Sequence, residues 1–575
     1  MNRRSHSHST APAWLWIPAA IGIAFLLVPI IGMISRIEPG TLSEVVLAPE
    51  SRIAMGLSLL TSVVSAIVSV AIGFPLGYLL ATKTFPGQRI VRTLILLPLV
   101  LPPVVSGLAL LYTWGRSAYL GSLLTDAGLG LAYTTAAVVV AQIFVSLPFM
   151  VMSVETAVAA RGTGYELAAA ELGATPGRVF FTVTLPLLRP GIMTGAVLCF
   201  ARSLGEFGAT LTFAGSLEGV TRTMPLQIYL VRESDPQSAI ALSLLLVLVA
   251  LIIIVLAYRS PHAPKLRPSR PSGDDADGAV APAGVQPRSA YPTLSTAAND
   301  SSASAPDADE SAAGTGGPPR REFPPSHPAI ELQATLDERD VELNFSVPSA
   351  ATTAVIGRNG AGKSTLFHVI TGALAADSGS LRIGDEVIFD IEAGTWPAIH
   401  DRGIVHLAQN PLLFPHLSVI DNVAYGLRCQ GLSRQDARRR GQVMLDRLGV
   451  GHTSGRRPSA VSGGQAARIA LARALLIEPR LLLLDEPLAA LDVDVKVETR
   501  KVLREVLEGR SALLVTHDVD DVIALASSLV LIDSGRTDYV AEVGEIDTAA
   551  PERGRDFLRS FCETDREGIL CSRSQ

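Results

Sequence analysis

A glycine-rich loop containing one lysine is the clearest chemical feature of the 575-residue sequence. The segment GRNGAGKST fits the P-loop pattern G-x-x-x-x-G-K-[ST]. Its glycines allow backbone N–H groups to converge on phosphate oxygens, its lysine reaches the β- and γ-phosphates, and its serine hydroxyl completes the coordination of Mg²⁺. The segment therefore predicts a nucleotide site made of Gly357, Arg358, Asn359, Gly360, Ala361, Gly362, Lys363, Ser364 and Thr365.

Two later segments carry chemistry that suits the same ligand. An apolar run of four leucines ends in Asp485 and Glu486, as a buried parallel strand would. Asp485 is placed to hold Mg²⁺ through water, and Glu486 to polarise the water that attacks the γ-phosphate. A Val-Ser-Gly-Gly-Gln segment precedes a helical run, so that Ser462 and the glycines after it place free N–H groups at a helix N-terminus, where phosphate binds.

Over residues 328–545 the order of these motifs resembles that of ATP-binding-cassette (ABC) ATPases, with Val461 where leucine is usual. The resemblance implies an α/β P-loop domain over 328–575, with ATP and Mg²⁺ as cofactors. It implies that Gln409 contacts Mg²⁺ and senses a membrane partner, that residues 488–492 are the D-loop, and that His517 contacts the γ-phosphate. Glu486 and His517 are then the catalytic residues; Ser364, Gln409 and Asp485 are the Mg²⁺ ligands; and the signature motif is Ser462, Gly463, Gly464 and Gln465.

The number of motifs also predicts the assembly. In this family each ATP lies between the P-loop of one subunit and the signature motif of another. This chain holds one of each, which predicts a homodimer with two-fold symmetry. Two features depart from the family: residues 332–341 lack the aromatic side chain that usually stacks on adenine, and the oxyanion-binding regulatory domain of many molybdate ATPases is not expected in the short C-terminal segment.

The first 259 residues have the composition of an all-α membrane domain. Six apolar segments approach the ~20 residues that cross a bilayer, at about 13–35, 53–80, 90–112, 133–154, 192–213 and 238–258. We interpret the first as an uncleaved span. The segments on the N-terminal side hold more Lys and Arg than those on the other side, which predicts a multi-pass protein of the cytoplasmic membrane, in contact with lipid, whose N-terminus and ATPase domain are cytoplasmic.

The remaining composition limits other functions. Residues 260–327 are rich in Pro, Ala, Ser, Gly and Asp, which predicts a disordered linker between the two domains. A net charge of −6 with scattered signs gives no indication of nucleic-acid binding. The four cysteines show no metal-binding spacing, and we expect isolated thiols.

A segment of the membrane half, about 160–190, indicates the direction of transport. It contains a short Ala-rich helical stretch, a glycine turn and a Leu-Pro pair, and it resembles the EAA loop of binding-protein-dependent ABC importers. The resemblance implies an importer that receives substrate from a separate extracytoplasmic binding protein. Glu166, Ala169 and Gly173 are the coupling residues that it implies.

The fifth span offers the one indication of substrate. Arg202 and Glu206 share a helix face at i, i+4 spacing, where an ion pair lowers the cost of burial. With residues 207–210 and 221–225 this region is similar to molybdate permeases, although sulfate, thiosulfate and tungstate importers remain alternatives. The pair either gates or supports the pathway, or Arg202 contacts the anion. An ATP-gated membrane regulator is the alternative from another class, against which Glu486 and His517 argue.

Overall fold

The computed structural model describes residues 13–37, 44–258, 329–489, 491, 493–548, 551, 553–565 and 570. The predicted linker at 260–327 lies outside them. The chain divides into two compact units, each made of two segments. The first unit comprises Met1–Arg161 and Leu188–Thr296, and the second comprises Gly162–Leu187 and Ala297–Gln575.

The first unit is helical because its sequence is dominated by long apolar runs. Its helices, and those of the loop that interrupts it, are α1 (Trp16–Ile34), α2 (Pro49–Thr82), α3 (Gln88–Val100), α4 (Pro103–Trp114), α5 (Tyr119–Asp126), α6 (Thr135–Arg161), α7 (Gly164–Glu171), α8 (Pro176–Val179), α9 (Leu185–Leu204), α10 (Gly208–Ala214), α11 (Met224–Val231) and α12 (Pro236–Tyr258). Among the described residues, five helices are long and apolar enough to cross a membrane, or six if α3 and α4 form one span.

Two of the predicted spans are broken. The third is bent by 117° between α3 and α4. Leu101 precedes a proline and takes an extended backbone, and Pro102 has no N–H to continue the helix. The fifth ends as α9 at Leu204 and resumes as α10 at Gly208.

Small and hydroxyl-bearing side chains allow the helices of the first unit to pack closely. Ser65 on α2 bonds Ser203 at 3.1 Å, and Ser69 bonds Ser146 on α6 at 3.1 Å. A side chain at Gly77 would lie 2.8 Å from a backbone oxygen of α6. Such contacts are typical of helix pairs in membranes, where apolar burial gives little advantage over lipid.

The second unit contains a ten-stranded sheet with the order β5-β4-β1-β2-β10-β9-β3-β8-β7-β6. Strands β9, β3, β8, β7 and β6 are parallel to one another, and β1, β2, β4 and β5 pair in antiparallel fashion. The strands are β1 (Ala329–Leu336), β2 (Val341–Pro348), β3 (Thr352–Ile356), β4 (Ser378–Ile383), β5 (Glu386–Asp390), β6 (Ile404–Leu407), β7 (Leu481–Asp485), β8 (Ala512–Val515), β9 (Ser528–Asp533) and β10 (Arg536–Glu542).

Helices accompany this sheet, and the parallel strands are almost entirely buried. The helices are α13 (Lys363–Thr371), α14 (Val419–Val423), α15 (Tyr425–Cys429), α16 (Arg434–Arg447), α17 (Gly463–Leu475), α18 (Val493–Leu507), α19 (Val519–Leu525) and α20 (Arg555–Glu563). Because β3, β6, β7 and β8 are parallel, their carboxyl ends meet at one edge of the sheet. The segments that follow these four strands hold the P-loop, Gln409, Glu486 and His517, whereas the predicted signature residues lie at the start of α17.

The expectation of isolated thiols is wrong for one cysteine. Cys199 and Cys429 are free, whereas Cys562 on α20 is disulfide-bonded. Cysteine spacing identifies frameworks of several bridges or metal sites, but a single bridge requires only two Cβ atoms within about 4 Å, which spacing alone does not disclose.

Candidate ATP site and coupling loop

The P-loop connects β3 to α13 through backbone shapes that glycine adopts readily. Gly360 and Gly362 have φ angles of 82° and 107°. A Cβ atom on Gly357 would lie 2.1 Å from the backbone oxygen of Ile532. The loop therefore keeps its path and its exposed N–H groups only with glycine at these positions.

Lys363, the first residue of α13, is folded back onto this loop. Its Nζ donates to the carbonyl oxygens of Gly357 at 2.6 Å and Arg358 at 3.0 Å. Burial lowers the pKa of Lys363, and the nearby carboxylates of Glu486 and Asp485 oppose that shift. The ammonium group is thus held inside the loop that would surround a phosphate.

Two of the predicted residues, Gln409 and His517, contact a third, Glu486, just beyond the end of β7. Its Oε2 accepts a hydrogen bond from Nε2 of Gln409 at 2.8 Å, and its Oε1 lies 3.3 Å from Nε2 of His517. Glu486 has a φ angle of 46°, a left-handed shape that is uncommon for a residue with a side chain. Its N–H donates to Val515 at the end of β8, which holds the carboxylate at this position. The loops after β6, β7 and β8 therefore converge on one carboxylate.

The donor set suits Mg²⁺ bound together with a nucleotide. Burial raises the pKa of Asp485, and repulsion from Glu486 adds to the shift. The hydroxyl of Ser364, the side-chain amide of Gln409 and the carboxylate of Asp485 would offer oxygen ligands, which Mg²⁺ prefers. The described residues contain no group of three or more His, Cys, Asp or Glu side chains able to hold a metal.

The signature residues lie at the start of α17 and bond to one another. The Ser462 hydroxyl accepts from the N–H of Gln465 at 3.3 Å, and the Gln465 side chain accepts from the N–H of Ser462 at 3.1 Å. Ser462 and Gly463 are exposed. No hydrogen bond recorded for Ser462, Gly463, Gly464 or Gln465 in the described part of the chain reaches the P-loop. The motif thus presents a preformed, accessible helix N-terminus. Of the D-loop, Ala490 and Asp492 lie outside the described residues.

The EAA-like loop belongs to the second unit, where it packs against the ATPase core. Ala169 on α7 is fully buried and joins Leu172 in the apolar cluster that includes Val405 of β6. Gly173 turns the chain after α7 with a φ angle of 83°. The chain then continues through α8 and a π-helical turn, Phe180–Thr184, into α9, which begins with the Leu-Pro pair.

Polar contacts fix the loop at both ends. Thr182 bonds the hydroxyl of Tyr425 at 2.8 Å, and its carbonyl oxygen lies 2.8 Å from Nε2 of His416. Glu171 accepts from the N–H of His406 in β6 at 3.3 Å. These five residues were not singled out from the sequence, because contacts between segments so far apart leave no local pattern.

Glu171 is the most unusual of these residues, because its carboxyl group is buried. Burial raises the pKa of Glu171 to about 8, against the opposing effects of the His406 N–H and the Arg473 guanidinium. The predicted coupling residue Glu166 instead accepts a hydrogen bond from Thr184 within the loop, at 3.1 Å. The acid that reaches the ATPase strand is thus five residues further along α7.

In the membrane unit, Arg202 and Glu206 form the predicted ion pair, with 2.9 Å between Nη1 and Oε2. The Glu206 side chain is 1% exposed, and its Oε1 also accepts from the N–H of Ala209 at 2.9 Å. Glu206 therefore stabilises the break between α9 and α10. The Arg202 side chain is 32% exposed.

The fold and the site define a class of protein. A sheet whose parallel strands position a P-loop, a terminal acid pair, a glutamine and a histidine at one edge is the ATPase of an ABC transporter, and it is joined here to a helical membrane unit. Residues 341–489 match the family model "ABC transporter". Residues 73–267 match "Binding-protein-dependent transport system inner membrane component".

Individual relatives match each half. The "Molybdenum transport system permease protein ModB" of Mycobacterium tuberculosis is 51% identical over 243 residues, which are 42% of this chain and 92% of the relative. The protein of the same name from Escherichia coli is 45% identical over 177 residues, 31% of this chain and 77% of the relative. The "Molybdenum import ATP-binding protein ModC" of M. tuberculosis is 44% identical over 230 residues, 39% of this chain and 62% of the relative.

The chain therefore belongs to the family of binding-protein-dependent inner-membrane permeases, and it carries an ABC ATPase in the same polypeptide. It is an ATP-hydrolysing transporter.

Proposed function

We propose that two copies of this chain import molybdate across the cytoplasmic membrane, using ATP and a separate extracytoplasmic oxyanion-binding protein. One observation carries the proposal: the permease half and the ATPase half of a single chain are each similar to a molybdenum transport protein. The N-terminus and the ATPase domain are cytoplasmic in this proposal, as the distribution of Lys and Arg favours.

The geometry supports an ATP site shared between two chains. Ser462 and Gly463 are exposed at the N-terminus of α17 and bond to no P-loop residue among the described parts. A second chain would supply this helix N-terminus to the phosphates held by the first. Within one chain, Lys363 would exchange its two loop carbonyls for phosphate oxygens, and Glu486, steadied by Gln409 and His517, would accept the proton of the attacking water.

The loop that packs on the ATPase would transmit this cycle to the membrane helices. Glu171 contacts β6, and Gln409 follows the same strand two residues after its end. A change in the Gln409 loop on ATP binding would therefore reach α7 through one short strand. The continuous run from α8 into α9 would pass the movement into the membrane unit.

The membrane pair supports a path for an anion in the first unit. Glu206 has two fixed partners and a structural role at the helix break, whereas Arg202 is partly accessible. We assign the anion contact to Arg202 rather than to Glu206. Arg202→Gln should lower uptake while assembly persists; if uptake and assembly both remain at the wild-type level, neither role holds.

Uptake by the purified chain in proteoliposomes tests the proposed function. With an oxyanion-binding protein outside and ATP inside, labelled molybdate should accumulate, and excess sulfate or thiosulfate should not compete. Tungstate, which is closest in shape and charge, is the stringent competitor. Preferential accumulation of sulfate would identify the alternative importer.

Glu486→Gln separates a pump from a regulator. The variant should bind ATP and lose turnover, and uptake should fall with it, because the carboxylate that polarises water is gone. A regulator that only senses ATP would still respond in this variant. Continued accumulation of molybdate by Glu486→Gln would contradict the proposal.

A further inference from the structure

Two cation–carboxylate pairs join α18 to the segment that contains His517. Lys496, in the first turn of α18, forms an ion pair with Asp518. One turn later, Arg500 donates from Nε to Oδ1 of Asp521 at 2.8 Å. Neither cation was singled out from the sequence, where α18 is simply a charged helix.

Asp518 and Asp521 fix the backbone on both sides of His517. The hydroxyl of Thr516 donates to Oδ2 of Asp521 at 3.3 Å and accepts from the N–H of Asp518 at 3.1 Å. Asp518 also accepts from the N–H of Asp520 at 2.9 Å, which caps α19. His517 therefore lies between Thr516, which bonds Asp521, and Asp518. Both carboxylates are in turn paired with cations of α18.

These contacts lie next to His517 and Glu486, the two residues proposed to act in ATP hydrolysis. His517 is 3.3 Å from Glu486, and both line a cavity of about 620 Å³ together with Lys496 and Asp518. The Asp521 side chain is only 4% exposed, and that of Arg500 is 17% exposed. A buried carboxylate that loses its cation becomes an uncompensated charge or takes up a proton, and in either case its other contacts change.

We propose that Lys496 and Arg500 are positioning residues that hold His517 against Glu486 for ATP hydrolysis. Helix α18 begins immediately after the segment 488–492, which resembles the D-loop. A shift of that segment would move Lys496 first, because it lies in the opening turn of the helix. The two ion pairs thus link the position of His517 to the segment that precedes α18.

Steady-state ATP hydrolysis by the full chain in proteoliposomes tests this inference. Arg500→Gln should lower kcat about tenfold, equivalent to ~1.4 kcal/mol in the barrier, with KM for ATP within about twofold of wild type. The P-loop that binds the phosphates is untouched, so the loss falls on turnover. Arg500→Lys keeps the charge and should recover part of kcat.

The same helix offers a matched control. Arg504 donates to the carbonyl oxygen of Ala524 at 2.7 Å and so also ties α18 to α19, but at a residue seven positions after His517 that makes no recorded bond to Thr516, His517 or Asp518. Arg504→Gln should leave kcat within about twofold of wild type. An equal loss in Arg504→Gln and Arg500→Gln would mean that general packing of the two helices matters, and it would overturn the proposal.

A milder variant keeps the inference testable if Arg500→Gln fails to fold. Thr516→Val removes the hydroxyl that bridges Asp521 and the N–H of Asp518 while both ion pairs stay. It should lower kcat in the same direction, again without a matching rise in KM. Unchanged kcat in Thr516→Val, or a rise in KM that accounts for the whole loss in any of these variants, would refute the positioning role.

Discussion

The buried carboxyl group of Glu171 makes the stability of the second unit depend on pH in a specific direction. Its pKa is about 8 in the folded protein against 4.5 for the free side chain. The folded protein therefore holds the proton more tightly than the unfolded chain. The contribution of Glu171 to stability becomes more unfavourable as the pH rises from 4.5 to about 8, and it is constant above and below that window.

The magnitude follows from the same two values. Each unit of pKa difference corresponds to ~1.4 kcal/mol, and between pH 6 and pH 8 the linkage amounts to about 2 kcal/mol. Glu171→Gln removes the titration and keeps an oxygen that accepts from the N–H of His406. Relative to wild type, the variant should therefore gain about 2 kcal/mol over this interval.

Thermal unfolding of the detergent-solubilised chain at a series of pH values measures this difference. The excess Tm of Glu171→Gln over wild type should grow from pH 6 to pH 8, while all other titrating groups cancel in the comparison. Glu166→Gln is the matched control for the substitution itself, because it makes the same change on the same helix at a side chain that bonds Thr184 within the loop. If the difference in Tm between Glu171→Gln and wild type stays constant or shrinks with rising pH, the conclusion that burial raises the pKa of Glu171 would be refuted.

Two further predictions concern the backbone of the P-loop and the contact between the EAA-like loop and the ATPase core. Gly357→Ala should abolish ATP binding in a nucleotide titration, because its Cβ would lie 2.1 Å from the Ile532 oxygen, whereas Gly455→Ala, with open space around it, should bind normally. Tyr425→Phe removes the 2.8 Å bond to Thr182, worth about 1 kcal/mol, and should lower molybdate uptake more than basal ATP hydrolysis; equal losses of both activities would argue against a coupling role.

The ATP site was largely predictable because its motifs are local. A P-loop needs glycine at fixed positions, since backbone shape and close approach exclude other residues. The acid pair ends an apolar strand whose neighbours are parallel, so residues far apart in sequence reach the same edge. Gln409 and His517 were expected at this site because the order of the motifs resembles that of ABC ATPases.

The coupling contacts were not predictable in the same detail. The Ala-rich stretch predicted a helix but not which of its acids faces the ATPase. Glu166 bonds within its own loop, whereas Glu171 reaches β6. A short helix in which most side chains are at least partly buried lacks the polar and apolar faces from which orientation is inferred.

Proline and one carboxylate explain the two helix breaks in the membrane half, which hydropathy does not reveal. Hydropathy averages over a window, so it joins α3 to α4 across Pro102 and α9 to α10 across a break of three residues. At the second break Glu206 supplies an acceptor to the freed N–H of Ala209. A charged residue in a span is costly unless its partners are close, and here the partners are the broken backbone itself and Arg202. Glu206, the charged residue in an otherwise apolar span, thus stabilises the interruption of the helix.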